Sequence, residues 1–99
     1  MTKRLLVRFR VEPDGVWQEA TGRNAWALLA LGAAGRRGVT PLDTPGPRWS
    51  AYVHNLRRMG LVIETVHENH GGPFAGTHAR YLLHSKIEWA EGETHGEAA

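Results

Sequence analysis

"RWSAYVHNLRRMG", residues 48–60, divides by residue type along its length. Trp49, Tyr52, Val53, Leu56 and Met59 recur at the spacing of one helical face, whereas its charged residues are all cations: Arg48, Arg57 and Arg58. At about 100° per residue the apolar set forms one arc. Ala51, His54 and Arg58 lie opposite it, Ser50 and Asn55 beside them, and Arg48 and Arg57 at the edges. The stretch predicts a helix that buries one side and presents an acid-free side rich in donors.

The neighbouring segments place that helix. Pro47 starts it and Gly60 stops it. Upstream, "TGRNAWALLALGAAGRRG" predicts a first helix with Asn24 as its cap. Trp26, Leu29, Ala30 and Ala33 form a stripe with Leu28 and Leu31 beside it, so this helix is central to the core. Gly35 and Gly38 end it, with Arg36 and Arg37 near its negative pole. In "VTPLDTPGP", Thr40-Pro41 is a cap-plus-first-turn pair, but Pro45 and Pro47 forbid continuation past about Asp43. A second helix has room for roughly one turn.

The two ends read as strands. "KRLLVRFRVE" alternates, with Leu5, Val7, Phe9 and Val11 on one side and Arg4, Leu6, Arg8 and Arg10 on the other, where the three arginines form a solvated face. Pro13-Asp14-Gly15 is a turn into a short return strand at Val16-Trp17. "LVIETVHE" and "ARYLLHSKIEW" form a hairpin across the glycine-rich tip "NHGGPFAGTH". The expected organisation is one domain over residues 1–87, with a strand extension at 1–20, a helix-turn-helix at 21–60 and a wing hairpin at 61–87. An acidic disordered tail follows at 88–99.

From Gly38-Val39-Thr40 onward, the residues also resemble a family of small winged-helix proteins from bacteria and their prophages. The pattern continues in Leu56-Arg57-Arg58-Met59-Gly60-Leu61-Val62-Ile63-Glu64-Thr65 and in His78-Ala79-Arg80-Tyr81-Leu82-Leu83. The likeness covers roughly residues 24–84. It implies an α+β winged helix-turn-helix fold and double-stranded DNA as partner. The second helix is shorter and more proline-rich than is usual there.

Composition agrees with a polyanionic partner. Net charge is +2, but residues 1–87 hold all twelve Lys and Arg against six acids, and residues 88–99 hold four glutamates and no base. There is no cysteine, hence no disulfide or thiolate metal site. The longest apolar run, "AWALLALGAAG", is too short for a bilayer, and no signal peptide is visible. These features predict a cytoplasmic protein without membrane contact.

For DNA, small Ser50 and Ala51 permit close approach, while Asn55 and Arg58 suit adenine and guanine edges. His54, Arg48 and Arg57 complete that face, and a solvated basic surface is the competing reading. Arg36, Arg37, Arg80, His70 and His78 are candidates for phosphate or minor-groove contact around the wing. His67, His70 and His78 are zinc-type ligands without a helix to fix their spacing, so no cofactor or metal is expected. No enzyme is expected either, since Ser50 and His54 lack a pocket and "HGGPFAG" lacks the lysine and helix of a phosphate loop. The chief alternative is a winged-helix module docking a protein through Trp17 and Trp89. A homodimer formed along the free edge of "LLVRFRV" is a further expectation.

Overall fold

A computed structural model describes residues 5–45, 48–71 and 76–90, with the side chain of His70 outside that set. The order is β1 (Leu6–Val11), β2 (Gln18–Thr21), α1 (Gly22–Ala34), a 3-10 turn (Gly35–Arg37), α2 (Trp49–Arg58), β3 (Ile63–His70), β4 (Gly76–Leu83) and β5 (Ile87–Trp89). One antiparallel sheet has the order β2-β1-β5; the other is the β3-β4 hairpin. The architecture is α+β.

β1 alternates as its sequence requires, with Val7 and Phe9 fully buried and Arg8 exposed. It is the central strand of its sheet. β2 pairs from Leu6↔Thr21 to Phe9↔Gln18, and β5 pairs from Phe9↔Trp89 to Val11↔Ile87. Both edges of β1 are therefore filled, which removes the free edge expected for dimerisation. The return strand begins at Gln18, with Val16 and Trp17 still in the connection.

"ARYLLHSKIEW" is not one strand. β4 ends at Leu83, and Ile87–Trp89 cross to the other sheet. Ile87 and Trp89 pack against the core, and Glu88 pairs with Arg10 at 2.7 Å. Glu88 and Trp89 thus belong to a sheet and not to a tail; residues 91–99 lie outside the described set, as do Arg4, Gly46, Pro47 and residues 72–75 of the hairpin tip.

α1 starts after Thr21, whose extended backbone (φ −132°, ψ 159°) occupies the cap position without a side-chain hydrogen bond. Asn24, expected as the cap, lies inside the first turn. The buried residues are Ala25, Ala27, Leu28 and Leu31, while Ala33 is exposed and Trp26, Leu29 and Ala30 are half-buried. A helix apolar nearly all round carries no pattern that selects a face. The selection is made by β1, β2, β4 and α2, all of which pack on it.

The expected second helix is a single turn. Thr40 Oγ1 accepts from Asp43 N (3.0 Å), and Thr44 N donates to Thr40 O (2.9 Å). Pro45 cannot extend the ladder. Beside it, Val39 alone pairs with β4, exchanging both backbone hydrogen bonds with Tyr81 at 2.9 and 2.8 Å.

Trp49 joins these parts. Its indole N–H donates to Thr44 O at 2.8 Å. Its ring stacks on Tyr81 of β4 (6.0 Å, 22°) and lies tilted against Trp26 of α1 (5.3 Å). Tyr52 meets both tryptophans edge-on. Gln18 of β2 adds a polar link, donating to Met59 O at the end of α2 (2.8 Å).

Gly38 makes the Val39 pairing geometrically accessible. Its backbone (φ 72°, ψ −179°) is in a region open essentially to glycine alone, and a Cβ would stand 2.7 Å from Tyr81 O. Gly38→Ala is expected to lower unfolding free energy by about 1–3 kcal/mol, measured by urea denaturation. Wild-type stability in that variant would show that the Val39–Tyr81 pairing has little weight.

Candidate nucleic-acid interface

α2 carries the division of faces that its sequence predicts. Trp49, Tyr52, Val53 and Leu56 are buried, whereas Arg48, Ser50, His54, Asn55, Arg57 and Arg58 are exposed and Ala51 is half-buried. No acid stands in its first turn, and Arg57 and Arg58 lie in its last, where cations favour the negative helix pole.

Two of these exposed side chains are already engaged. Arg57 donates to Ile63 O from Nε (3.1 Å) and Nη2 (2.6 Å), and from Nη2 to Thr65 Oγ1 (2.9 Å). It clamps the start of β3 to the end of α2. Asn55 Nδ2 donates to Asn24 Oδ1 on α1 (3.2 Å), so the amide expected to read adenine faces a neighbouring helix. Both residues sit at the margins of the face, where adjoining elements are within reach. Its centre is left to Ala51, His54 and Arg58, with Ser50 beside them and Arg48 at the start.

The wing candidates form a separate network on the hairpin. Glu68 of β3 receives Arg80 Nε at 2.7 Å and lies 3.0 Å from His78 Nε2. Arg80 Nη1 also donates to Arg37 O (2.7 Å), fastening the hairpin to the 3-10 turn. His78 and Arg80 hold the hairpin in place through Glu68 and the Arg37 carbonyl. Glu64, the other acid of β3, meets His84 Nε2 at 2.7 Å. Each acid of the hairpin is thus partnered by a basic side chain, which limits its repulsion of a polyanion. Arg37 is exposed at the hairpin root, and Arg36 lines a hollow with Leu82, Leu83, His84, Ser85 and Lys86 that includes no residue of α2. The assignment of His70 to DNA concerns a side chain outside the described set.

Arg23 is a cation that the sequence reading missed. It is exposed in the first turn of α1, and its guanidinium lies 5.4 Å from the centre of the Trp26 ring. Trp26 touches Trp49 and Tyr52, so Arg23 stands on the same side as α2. A lone arginine ahead of an apolar helix carries no sequence signal; the aromatic contact alone discloses the placement. Trp17, expected as a protein anchor, is 42% exposed and lies beneath Arg8 and Arg10 at 5.8 and 5.3 Å. Trp89 packs against the core beside Gly32.

Among the described residues, no three His, Asp or Glu side chains are grouped to hold a metal ion. None of the described helices is long and apolar enough to cross a membrane.

A core helix, a one-turn connection, a second helix with a basic outward face and a hairpin are thus held in one arrangement. A family model described as "Winged helix domain" matches residues 17–93. The chain belongs to the winged helix domain family. This is a fold that commonly binds DNA and is typically non-enzymatic. The match takes in β2 and β5, which lie beyond the motifs of the sequence resemblance, so two of the three strands of the β2-β1-β5 sheet fall within the winged-helix match and β1 outside it. No curated protein and no solved structure matches the chain.

The Glu68 network gives a pH dependence with a defined sign. The Arg80 hydrogen bond, with that of His78 after it, holds the Glu68 carboxyl below its usual 4.5 despite an opposing push from desolvation. Its contribution to stability is full above 4.5 and fades as pH falls through the lower folded value. Glu68→Gln should therefore be less stable than wild type near neutrality, and the gap should narrow in acid. Thermal melts from about pH 6 to about pH 3 check this, and a gap that stays constant would remove Glu68 as the titrating group.

Proposed function

We propose that this winged helix domain is a sequence-specific double-stranded DNA-binding protein, a small cytoplasmic regulator of transcription or of a prophage. α2 enters the major groove. The observation that carries this reading is the outward face of α2, where Arg48, Ser50, Ala51, His54 and Arg58 form a surface without an acid.

The chemistry divides by position. Ser50 and Ala51 are short enough to let the helix backbone approach base edges, and Arg58 can offer a paired donor to guanine O6 and N7. His54 adds one ring donor. Arg48, Arg23 and Arg37 neutralise phosphates around that contact and set its register without reading sequence. Asn55, Arg57, His78 and Arg80 act as positioning residues, since their donors are already engaged. Two copies on a two-part site would supply the contact area that one small module lacks. Among the described residues, the outer edge of β2 pairs with no strand and is an edge open to a second copy.

Fluorescence anisotropy with duplex DNA tests this at two salt concentrations. Affinity should fall by at least tenfold between about 50 and about 200 mM salt. On a selected site, Arg58→Ala and His54→Ala should each cost about 1–3 kcal/mol, while Arg23→Ala weakens all duplexes alike. Arg57→Ala should instead lower fold stability by about 1–2 kcal/mol in urea denaturation, because it removes charged hydrogen bonds to β3. If the wild-type chain binds no duplex at low salt, the basic face serves a protein partner and the DNA reading fails.

A further inference from the structure

Away from α2, four large apolar side chains remain only half-buried and gather in one place. Leu29 of α1, Leu83 of β4, and Ile87 and Trp89 of β5 line a groove of about 520 Å³ beside the C-terminal half of α1. This volume is within the range of small-molecule sites. At its end the groove continues, through Gly35, Leu83 and Ser85, into the hollow bordered by Arg36 and Lys86. Both cations are exposed, and neither pairs with an acid among the described residues. The contrast with Arg10 and Arg80 is informative, since those arginines have carboxylate partners at 2.7 Å.

An apolar floor with two cations at one end that no described acid pairs matches a ligand with an apolar body and a terminal anion. Burying its hydrocarbon part would cover the half-exposed floor, and its charge would meet Arg36 and Lys86. Gly32 shapes the wall: α1 passes Trp89 so closely that a Cβ there would be 3.1 Å from the indole. We propose that this groove binds a small amphipathic carboxylate, with Arg36 and Lys86 holding the carboxylate and Leu29, Leu83, Ile87 and Trp89 holding the chain. Arg36 is thereby assigned to this site and not to phosphate contact beside α2. The site stands whether or not α2 binds DNA.

Decanoate is the probe, titrated below its micelle concentration into the full-length chain and followed by amide chemical shifts. Saturable shifts are expected at Gly32, Gly35, Ser85 and Ile87, with those of α2 unchanged. Decanol, with the same chain and no charge, should bind about fivefold more weakly, as befits a solvent-facing ion pair. The double variant Arg36→Gln/Lys86→Gln should bring decanoate down to the level of decanol. Ala33→Phe, at an exposed position on the wall, should abolish binding of both. Should that variant fail to fold, the double variant alone decides, because both its sites are exposed. Absence of saturable shifts, equal binding of decanol and decanoate, or indifference to the double variant would overturn the proposal.

Discussion

Trp49 is the residue on which the arrangement turns. One indole touches α1 through Trp26, β4 through Tyr81 and the preceding turn through its N–H to Thr44 O. A large ring can satisfy three neighbours at once because its faces stack while its edge donates. The connection between the helices is too short and too rich in proline to supply a second full helix. The aromatic cluster supplies that packing in its place. α2 is consequently fixed from its first residue, and the direction of its exposed face follows.

Once α2 is seated, polar side chains fall into two groups according to what lies within reach. Residues at the margins of its face meet adjoining elements: Asn55 meets Asn24, and Arg57 meets Ile63 and Thr65. Those at its centre meet solvent. The hairpin is treated alike, with Glu68, His78, Arg80 and the Arg37 carbonyl forming a closed set that anchors the wing. An arginine in a DNA-binding fold is therefore not a contact by default. A guanidinium with a good carbonyl and carboxylate partner is already positioned, and withdrawing it for phosphate would forfeit those hydrogen bonds.

The β2-β1-β5 sheet acts as a buttress for the helices. β1 and β2 bury Val7, Phe9 and Ala20 in the core, and Gln18 reaches the C-terminal end of α2. β5 closes the other edge of β1 and brings Trp89 against α1 at Gly32. This sheet joins β1 to β5, and its junction with α1 creates the apolar groove bordered by Arg36 and Lys86.

Much of the fold was legible in local pattern. The period of β1, the two faces of α2, the single turn after Thr40 and the glycine at position 38 each follow from side-chain size, branching and backbone freedom. These are properties of neighbouring residues, so one chain suffices to read them. The winged-helix order of elements follows from their sequence. Tertiary structure decided what depends on distant residues: which face of the apolar α1 is buried, and that Ile87–Trp89 leave the hairpin for β1. It also engaged Asn55 and Arg57 internally and brought Arg23 beside the aromatic cluster. The Asn55–Asn24 hydrogen bond spans 31 residues, and a contact of that kind leaves no periodicity in the chain. Spacing along the sequence therefore determined which side chains could face outward, and packing determined which of them remained available.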